Sequence, residues 1–258
     1  MRTKAHRHTA RSVIFFTLFF ILSCFGKEGK AGTVQQDLVW SESDGLRYEL
    51  FSSSKKGDKW TAPVKITDNN ANNLHPVLDR GADGKKWLFW SAVRPDGISI
   101  EYAVFQGNEW SEPQKFPVEQ HSAITPSVLA DKKKGVWVVW AGNDGGNDDI
   151  YFSRYLGKQD KVWTDPQIIH APNNVPDIKP EIAYNDEGRI EVTWLGFRGN
   201  NRYIQLFSVY TDGAGWSPEQ EKPEPEEENV QEQEENEQEA ELPSFLPGGS
   251  QFDLKIYK

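Results

Sequence analysis

Four tryptophans, Trp40, Trp90, Trp140 and Trp194, stand 50, 50 and 54 residues apart, and a second set follows at Trp60, Trp110, Trp163 and Trp216. No other feature limits the fold as strongly. A unit of about fifty residues that recurs along a chain is one supersecondary element that buries its apolar face against its own copies. Aligned on the first set, the units share one plan. An opening segment carries a proline among apolar residues: His75-Pro-Val-Leu-Asp79, Thr125-Pro-Ser-Val-Leu-Ala130 and Lys179-Pro-Glu-Ile-Ala183. After a glycine turn comes a run that ends in the ladder tryptophan: Trp87-Leu-Phe-Trp90, Val136-Trp-Val-Val-Trp140 and Ile190-Glu-Val-Thr-Trp194. A polar turn leads to a third run at Ile98–Val104, Ile150–Tyr155 and Tyr203–Phe207, and the second tryptophan opens a fourth.

Each run is short, rich in β-branched and aromatic residues, and bounded by Gly, Asp, Asn or Pro, with no helical period between them. Four short antiparallel strands in a unit of this size describe a propeller blade. The expectation is an all-β chain: a β-propeller of about four four-stranded blades over residues 37–220, with the tryptophans packed between blades. A sandwich would use similar strands but does not account for the matched spacing of both tryptophan sets.

The turns before the second tryptophans resemble the Asp-box, Ser-x-Asp-x-Gly-x-x-Trp, of sialidase-like propellers with BNR repeats. Ser53-Ser-Lys-Lys-Gly57-Asp-Lys-Trp60 keeps the serine, glycine and tryptophan but has Lys55 at the aspartate position. Gly107 with Trp110 and Gly213 with Trp216 keep the last two elements, and the third unit, Gly157 to Trp163, is longer. Asp148-Asp-Ile-Tyr-Phe-Ser-Arg154 is similar to the third strand of such blades. The resemblance covers roughly residues 37 to 220. It implies a propeller and leaves the activity open, since Asp-boxes lie at turns away from the active site.

The first unit starts at Asp37-Leu-Val-Trp40 and so lacks an opening strand. The chain ends in Phe252-Asp-Leu-Lys-Ile-Tyr257, an alternating segment, and residues 251–258 are expected to supply the missing strand and close the ring. An open arc completed by a second copy of the chain is the alternative. Residues 221–250 between these parts are an acidic linker, with 12 glutamates and one lysine from Glu219 to Glu241. Such a stretch has little to bury and is expected to be solvated. Without it and the first 23 residues, the body has a net charge of −3, which gives no basic surface for nucleic acid.

Residues 1–23 read as a signal peptide: Arg2, Lys4, Arg7 and Arg11, then an apolar run from Val13 to Leu22 too short to span a bilayer comfortably. Cys24, the single cysteine, follows at once in an arrangement that resembles a bacterial lipobox. The resemblance implies lipidation of Cys24 and an exported chain held in the cell envelope, with residues 24–36 as a spacer. Phe25, in place of aspartate, favours the outer membrane of a Gram-negative cell. An ordinary signal cleaved near Ala31-Gly32 would discard Cys24. Either way the exported chain has no internal disulfide and is stabilised by packing.

In a propeller, the connections that lead into the opening strands and out of the second strands emerge on one face around the axis. Here that face collects His75, Thr125 and Lys179 from the opening strands and Glu42, Asp44, Arg94, Asp96, Asp144 and Arg198 from the turns. Asn72, Asn73, Asn173 and Asn174 lie nearby in sequence. Mixed charge and amides suit hydroxyl-rich ligands, so His75, Arg94, Asp96, Asp144, Lys179 and Arg198 are the candidate glycan-contacting residues. The plain alternative is that these are solvated turn residues. A sialidase would need an arginine cluster, a tyrosine–glutamate pair and an acid/base aspartate, and the Arg-Ile-Pro signature is replaced by His75-Pro76. Carboxylates for glycoside hydrolysis could come from Glu42, Asp96 and Asp144, at a separation the sequence does not define. There is no Gly-x-Ser-x-Gly elbow. Asp144, Asn147, Asp148 and Asp149 offer oxygen ligands in a glycine-flexed loop, the chemistry calcium prefers. His75, His121 and His170 show no zinc spacing. The expectation is a binding propeller for a glycan or a surface protein, with a sialidase-like hydrolase or an interaction scaffold as the alternatives.

Overall fold

In a computed structural model, residues 36–118, 121–131, 135–223 and 255–257 are described. The expected signal peptide, Cys24, most of the acidic linker and residues 251–254 lie outside the described residues. Blade one contains β1 (Asp37–Ser43), β2 (Tyr48–Lys56), β3 (Lys59–Trp60) and β4 (Val64–Lys65). Blade two contains β5 (Asn72–Arg80), β6 (Lys86–Arg94), β7 (Gly97–Gln106), β8 (Glu109–Trp110) and β9 (Gln114–Lys115). Blade three contains β10 (Ser122–Asp131), β11 (Gly135–Asn143), β12 (Asp148–Arg154) and β13 (Gln167–Ile168). Blade four contains β14 (Asp177–Tyr184), β15 (Ile190–Arg198), β16 (Arg202–Thr211), β17 (Gly215–Trp216) and β18 (Gln220–Glu221). Gln220 and Glu221, at the edge of the acidic segment, still pair with Phe207 and Leu206. Within each blade the strands meander antiparallel. A single parallel bridge, Ser122 to Ile98, joins the sheets of blades two and three.

Blade one has no opening strand from its own part of the chain. Lys255–Tyr257, here β19, fills that position: it pairs antiparallel with β1, Tyr257 opposite Asp37 and Lys255 opposite Val39. The first sheet therefore runs β19-β1-β2 and matches the order of β5-β6-β7 in blade two. No ladder joins blade four to blade one among the described residues.

The burial patterns follow from stacking. In β6, Trp87 and Phe89 pack toward blade three while Leu88, Trp90 and Ala92 pack toward Val39 and Leu50 of blade one. In β11, Val136, Val138 and Trp140 meet blade two, and Trp137, Val139 and Ala141 meet blade four. A strand covered on both faces must be apolar at successive positions, which is why these runs do not alternate in sequence. β15 is different: Ile190, Val192 and Trp194 are buried against blade three, and Glu191, Thr193 and Leu195 between them are only half-buried. Its alternation marks a blade with one described neighbour. All four tryptophans of the first ladder are 1 % exposed or less.

Each hairpin that ends in a tryptophan of the second set is stapled by the residue after that tryptophan. The Thr61, Ser111, Thr164 and Ser217 hydroxyls accept N–H bonds from Ser54, Val104, Arg154 and Val209 at 2.9–3.2 Å. The Trp-Ser/Thr dipeptide in the sequence thus has a mechanical cause.

Candidate functional site

The opening strands β5, β10 and β14 neighbour one another in series and line the inside of the blade array. Each carries a bulge near its start, between Leu74 and Val77, between Ile124 and Ser127, and between Ile178 and Glu181. Within the bulges His75, Thr125 and Lys179 hold φ of 53°, 48° and 52°. Non-glycine residues seldom adopt this left-handed conformation, which costs on the order of 1 kcal/mol or more each. The following prolines, at positions 76, 126 and 180, disfavour the right-handed helical alternative. The strain thus recurs three times in equivalent places. Bulges re-aim side chains, and His75 and Lys179 in theirs are exposed, whereas Thr125 is half-buried and its hydroxyl oxygen is shielded from solvent.

The turns between second and third strands end beside the starts of the opening strands, since Asn72 lies opposite Val93, Ser122 opposite Asn143 and Asp177 opposite Gly196. Asp96 and Asp144 are exposed on these turns. Asp44 accepts N–H bonds from Leu46 and Arg47 at 2.9 and 2.8 Å, and these bonds hold its carboxyl below the ordinary range. Glu42 accepts the Trp40 indole N–H at 2.9 Å. Sequence reasoning missed the exposed apolar side chains beside them: Leu46 is 85 % exposed, and the rings of Tyr48 and Tyr203 are each 43 % exposed. Tyr48 donates its backbone N–H to Asn72 Oδ1 at 3.1 Å, three residues before His75. Tyr203 lies edge-on to Phe197, with centroids 5.3 Å apart.

Arg94 and Arg198 have internal partners. Arg198 donates to Asp177 Oδ1 at 3.1 Å and Glu219 Oε2 at 2.9 Å. Asp177 is fully buried and also accepts the Trp194 indole N–H at 2.9 Å and Asn173 Nδ2 at 2.8 Å. Arg94 bonds Glu101 and, at 3.3 Å, Ser99. Glu101 accepts from Asn69, which bonds Asn73, and Asn73 accepts the Trp90 indole N–H at 2.8 Å. Two equivalent polar latches result, one where blade two meets blade one and one where blade four meets blade three. In each, an amide or carboxylate 17 residues before a ladder tryptophan takes its indole proton. That spacing was available to a repeat alignment.

The second latch contains Asp149, His170 and Asp177, whose donor atoms lie within 4.8 Å of one another. This is the only such gathering of metal-capable side chains among the described residues, so Asp144 and Asp148 do not converge with Asp149 in the expected calcium loop. Asn147 instead donates to Asp149 Oδ1 at 3.1 Å and Val175 O at 3.0 Å. Two carboxylates and an imidazole are a ligand set in principle. The Ile150 N–H, however, donates to His170 Nε2 at 3.1 Å, so that nitrogen has no free lone pair, and Nδ1–H donates to Ala171 O at 2.9 Å. In the first latch Thr67 stands in for His170 and accepts the Leu50 N–H at 2.9 Å while bonding Glu49. The histidine is a strut in a repeated latch. Burial and the neighbouring Asp177 charge push the Asp149 carboxyl above its ordinary value.

No family model and no curated protein matches the chain. Solved structures do. A Dyadobacter fermentans protein of unknown function superimposes with a TM-score of 0.53 at 15 % identity, covering 67 % of this chain and 58 % of that one. An endo-arabinase from Bacteroides thetaiotaomicron gives 0.50 at 15 %, covering 73 % and 75 %. The GH93 α-L-arabinofuranosidase of Fusarium graminearum, in complex with arabinobiose, gives 0.50 at 12 %, covering 67 % and 57 %. The chain thus spans under two thirds of two of these three. At such identities the likeness is one of fold, and the fold is that of a β-propeller.

Proposed function

We propose that this chain is an exported, lipid-anchored propeller that binds a glycan on the face around its opening strands and does not transform it. The observation that carries the reading is the threefold repeat of left-handed bulges on adjacent strands, two of which leave His75 and Lys179 exposed. Strain that recurs at equivalent positions on the inner strands is the kind retained where side chains are aimed at a ligand. Exposed Tyr48 and Tyr203 supply flat faces for sugar C–H groups, and His75 and Lys179 supply donors for hydroxyls. Arg94 and Arg198 hold the blades beneath this face. The solved propellers named for arabinan-type activities support including arabino-oligosaccharides among the ligands tested.

The test is a glycan array together with a fluorogenic glycoside panel on the full chain. Binding without turnover is expected, with at least tenfold weaker binding for the His75→Ala/Lys179→Ala variant. Turnover lost on substitution of Asp96 or Asp144 would establish the hydrolase reading instead. Anchoring is tested separately: Cys24→Ala is expected to leave the membrane fraction, and unchanged fractionation would refute it.

A further inference from the structure

Two grooves of about 430 Å³ lie on the outer rim. One runs between blades two and three, against Tyr102, Lys115, Lys161, Val162 and Trp163. The other runs between blades three and four, against Phe152, Arg154, Ile168, Tyr210, Gly215 and Trp216. The repeat makes them equivalent: Lys115 pairs with Glu101 as Ile168 pairs with Tyr151, and Trp163 and Trp216 hold the same place in their hairpins.

Their chemistry differs. Lys115 stands where the second groove has Ile168, Lys161 where the chain has Ala214, and Val162 where it has Gly215. The difference comes from the longer hairpin of blade three, where Trp163 follows Gly157 by six residues, against three from Gly213 to Trp216. The Leu156 and Gly157 N–H groups both donate to Val162 O, at 2.7 and 3.2 Å, which fixes the extra residues as a lip. On that lip Leu156 is 38 % and Val162 41 % exposed. Lys161 meets Asp165 at 2.6 Å, and Lys115 has no ion pair among the described residues.

We propose that the groove between blades two and three binds a carboxylate-bearing pyranose unit, a uronic-acid type of sugar. This rests on the glycan-binding reading and adds a second, acid-selective subsite to it. Val162, Pro117 and Pro166 present an apolar surface for the C–H face of the ring, and two ammonium groups against one carboxylate leave a positive balance for the sugar's acid group. The volume lies within the roughly 300–1,000 Å³ of ligand pockets. The second groove lacks both lysines and the lip; its cation is Arg154, whose guanidinium lies over the Trp137 ring at 4.2 Å, and it is the comparison site.

The experiment uses the full chain in detergent, titrated with an oligogalacturonate and with whichever neutral oligosaccharide the array selects. The Lys115→Ala/Lys161→Ala variant is expected to lose at least tenfold in oligogalacturonate affinity, with neutral-sugar binding and melting temperature unchanged. Lys115→Arg/Lys161→Arg is expected to retain the acidic ligand. Val162→Asp, which adds negative charge on the lip, is expected to abolish it. Oligogalacturonate binding that ignores the lysines, or that is lost only with His75→Ala/Lys179→Ala, would overturn the rim subsite and leave the axial reading intact. Neutral sugars bound without the acidic one would do the same. A chain that binds no glycan overturns both readings.

Discussion

The junction between blades three and four and the junction between blades two and three are built from the same repeat and held differently. At the first, Trp194 donates its indole N–H to Asp177, which is held in turn by Asn173 and Arg198 and has His170 Nε2 at 3.6 Å. At the second, Ala123 occupies the place of Asp177, Pro117 that of His170, and the Trp140 indole N–H is buried without an acceptor among the described residues. That junction has rings without a latch: Trp163 lies edge-on to Phe116, Tyr102 and Phe89 at centroid distances of 4.8–5.8 Å, and Phe116 edge-on to Trp140 at 5.3 Å. The first junction adds its latch to the equivalent rings, with Trp216 edge-on to Phe152 at 5.4 Å. A latch of charges holds only while each member keeps its partner, whereas a ring cluster tolerates one unpaired donor and depends on volume.

This contrast yields predictions of decreasing size. Trp163→Ala should cost the most, about 4 kcal/mol of unfolding free energy, because it empties the centre of the ring cluster. Urea denaturation measures it, and a cost under about 1 kcal/mol would show that the cluster is not what joins blades two and three. Asp177→Ala should cost about 3 kcal/mol, since it leaves Arg198 with only Glu219 and strands a buried indole N–H. Asn73→Ala, the equivalent change in the uncharged position of the first latch, should cost less, about 2 kcal/mol.

Ala123→Asn tests the comparison in the other direction. If the latch is transferable, the new amide accepts from Trp140 and stability rises by about 1 kcal/mol. A loss would mean that the ring cluster leaves no room for it. The smallest effect concerns pH. The folded-state pKa of Asp149 lies above its unfolded value, so its contribution to stability is present at acid pH and is lost as pH rises through the folded pKa. Asp149→Asn should therefore melt higher than the parent at pH 7 and at the same temperature near pH 4. A difference that grows toward acid would contradict the assigned burial effect.

Much of this was legible before any coordinates. The tryptophan spacing marked four blades, and the alternation of Phe252–Tyr257 pointed to a strand whose last residues pair with β1. The Asn69/Asn73 and Asn173/Asp177 spacings, four residues each, could have revealed the latches, because both precede a ladder tryptophan and both are followed by an arginine four residues beyond it. Arg94 and Arg198 read as ligand contacts in sequence because a turn arginine carries no sign of the Glu101 or Glu219 that meets it from another strand. Tyr48 and Tyr203 drew no notice in the sequence for the converse reason: an aromatic at a strand end looks the same whether or not a neighbour covers it.

The sequence by itself determined the unit, its four strands and their number, since those follow from local periodicity and turn chemistry repeated at a constant interval. Only the tertiary structure decided which polar residues face a partner and which face solvent. That depends on where one strand's register sets a side chain against another, as Arg94 meets Glu101 seven residues on and Arg198 meets Glu219 twenty-one residues on. The same holds for the bulges at His75, Thr125 and Lys179. Their prolines are plain in the chain, yet the register shift and the left-handed backbone before each proline exist only in the paired strands.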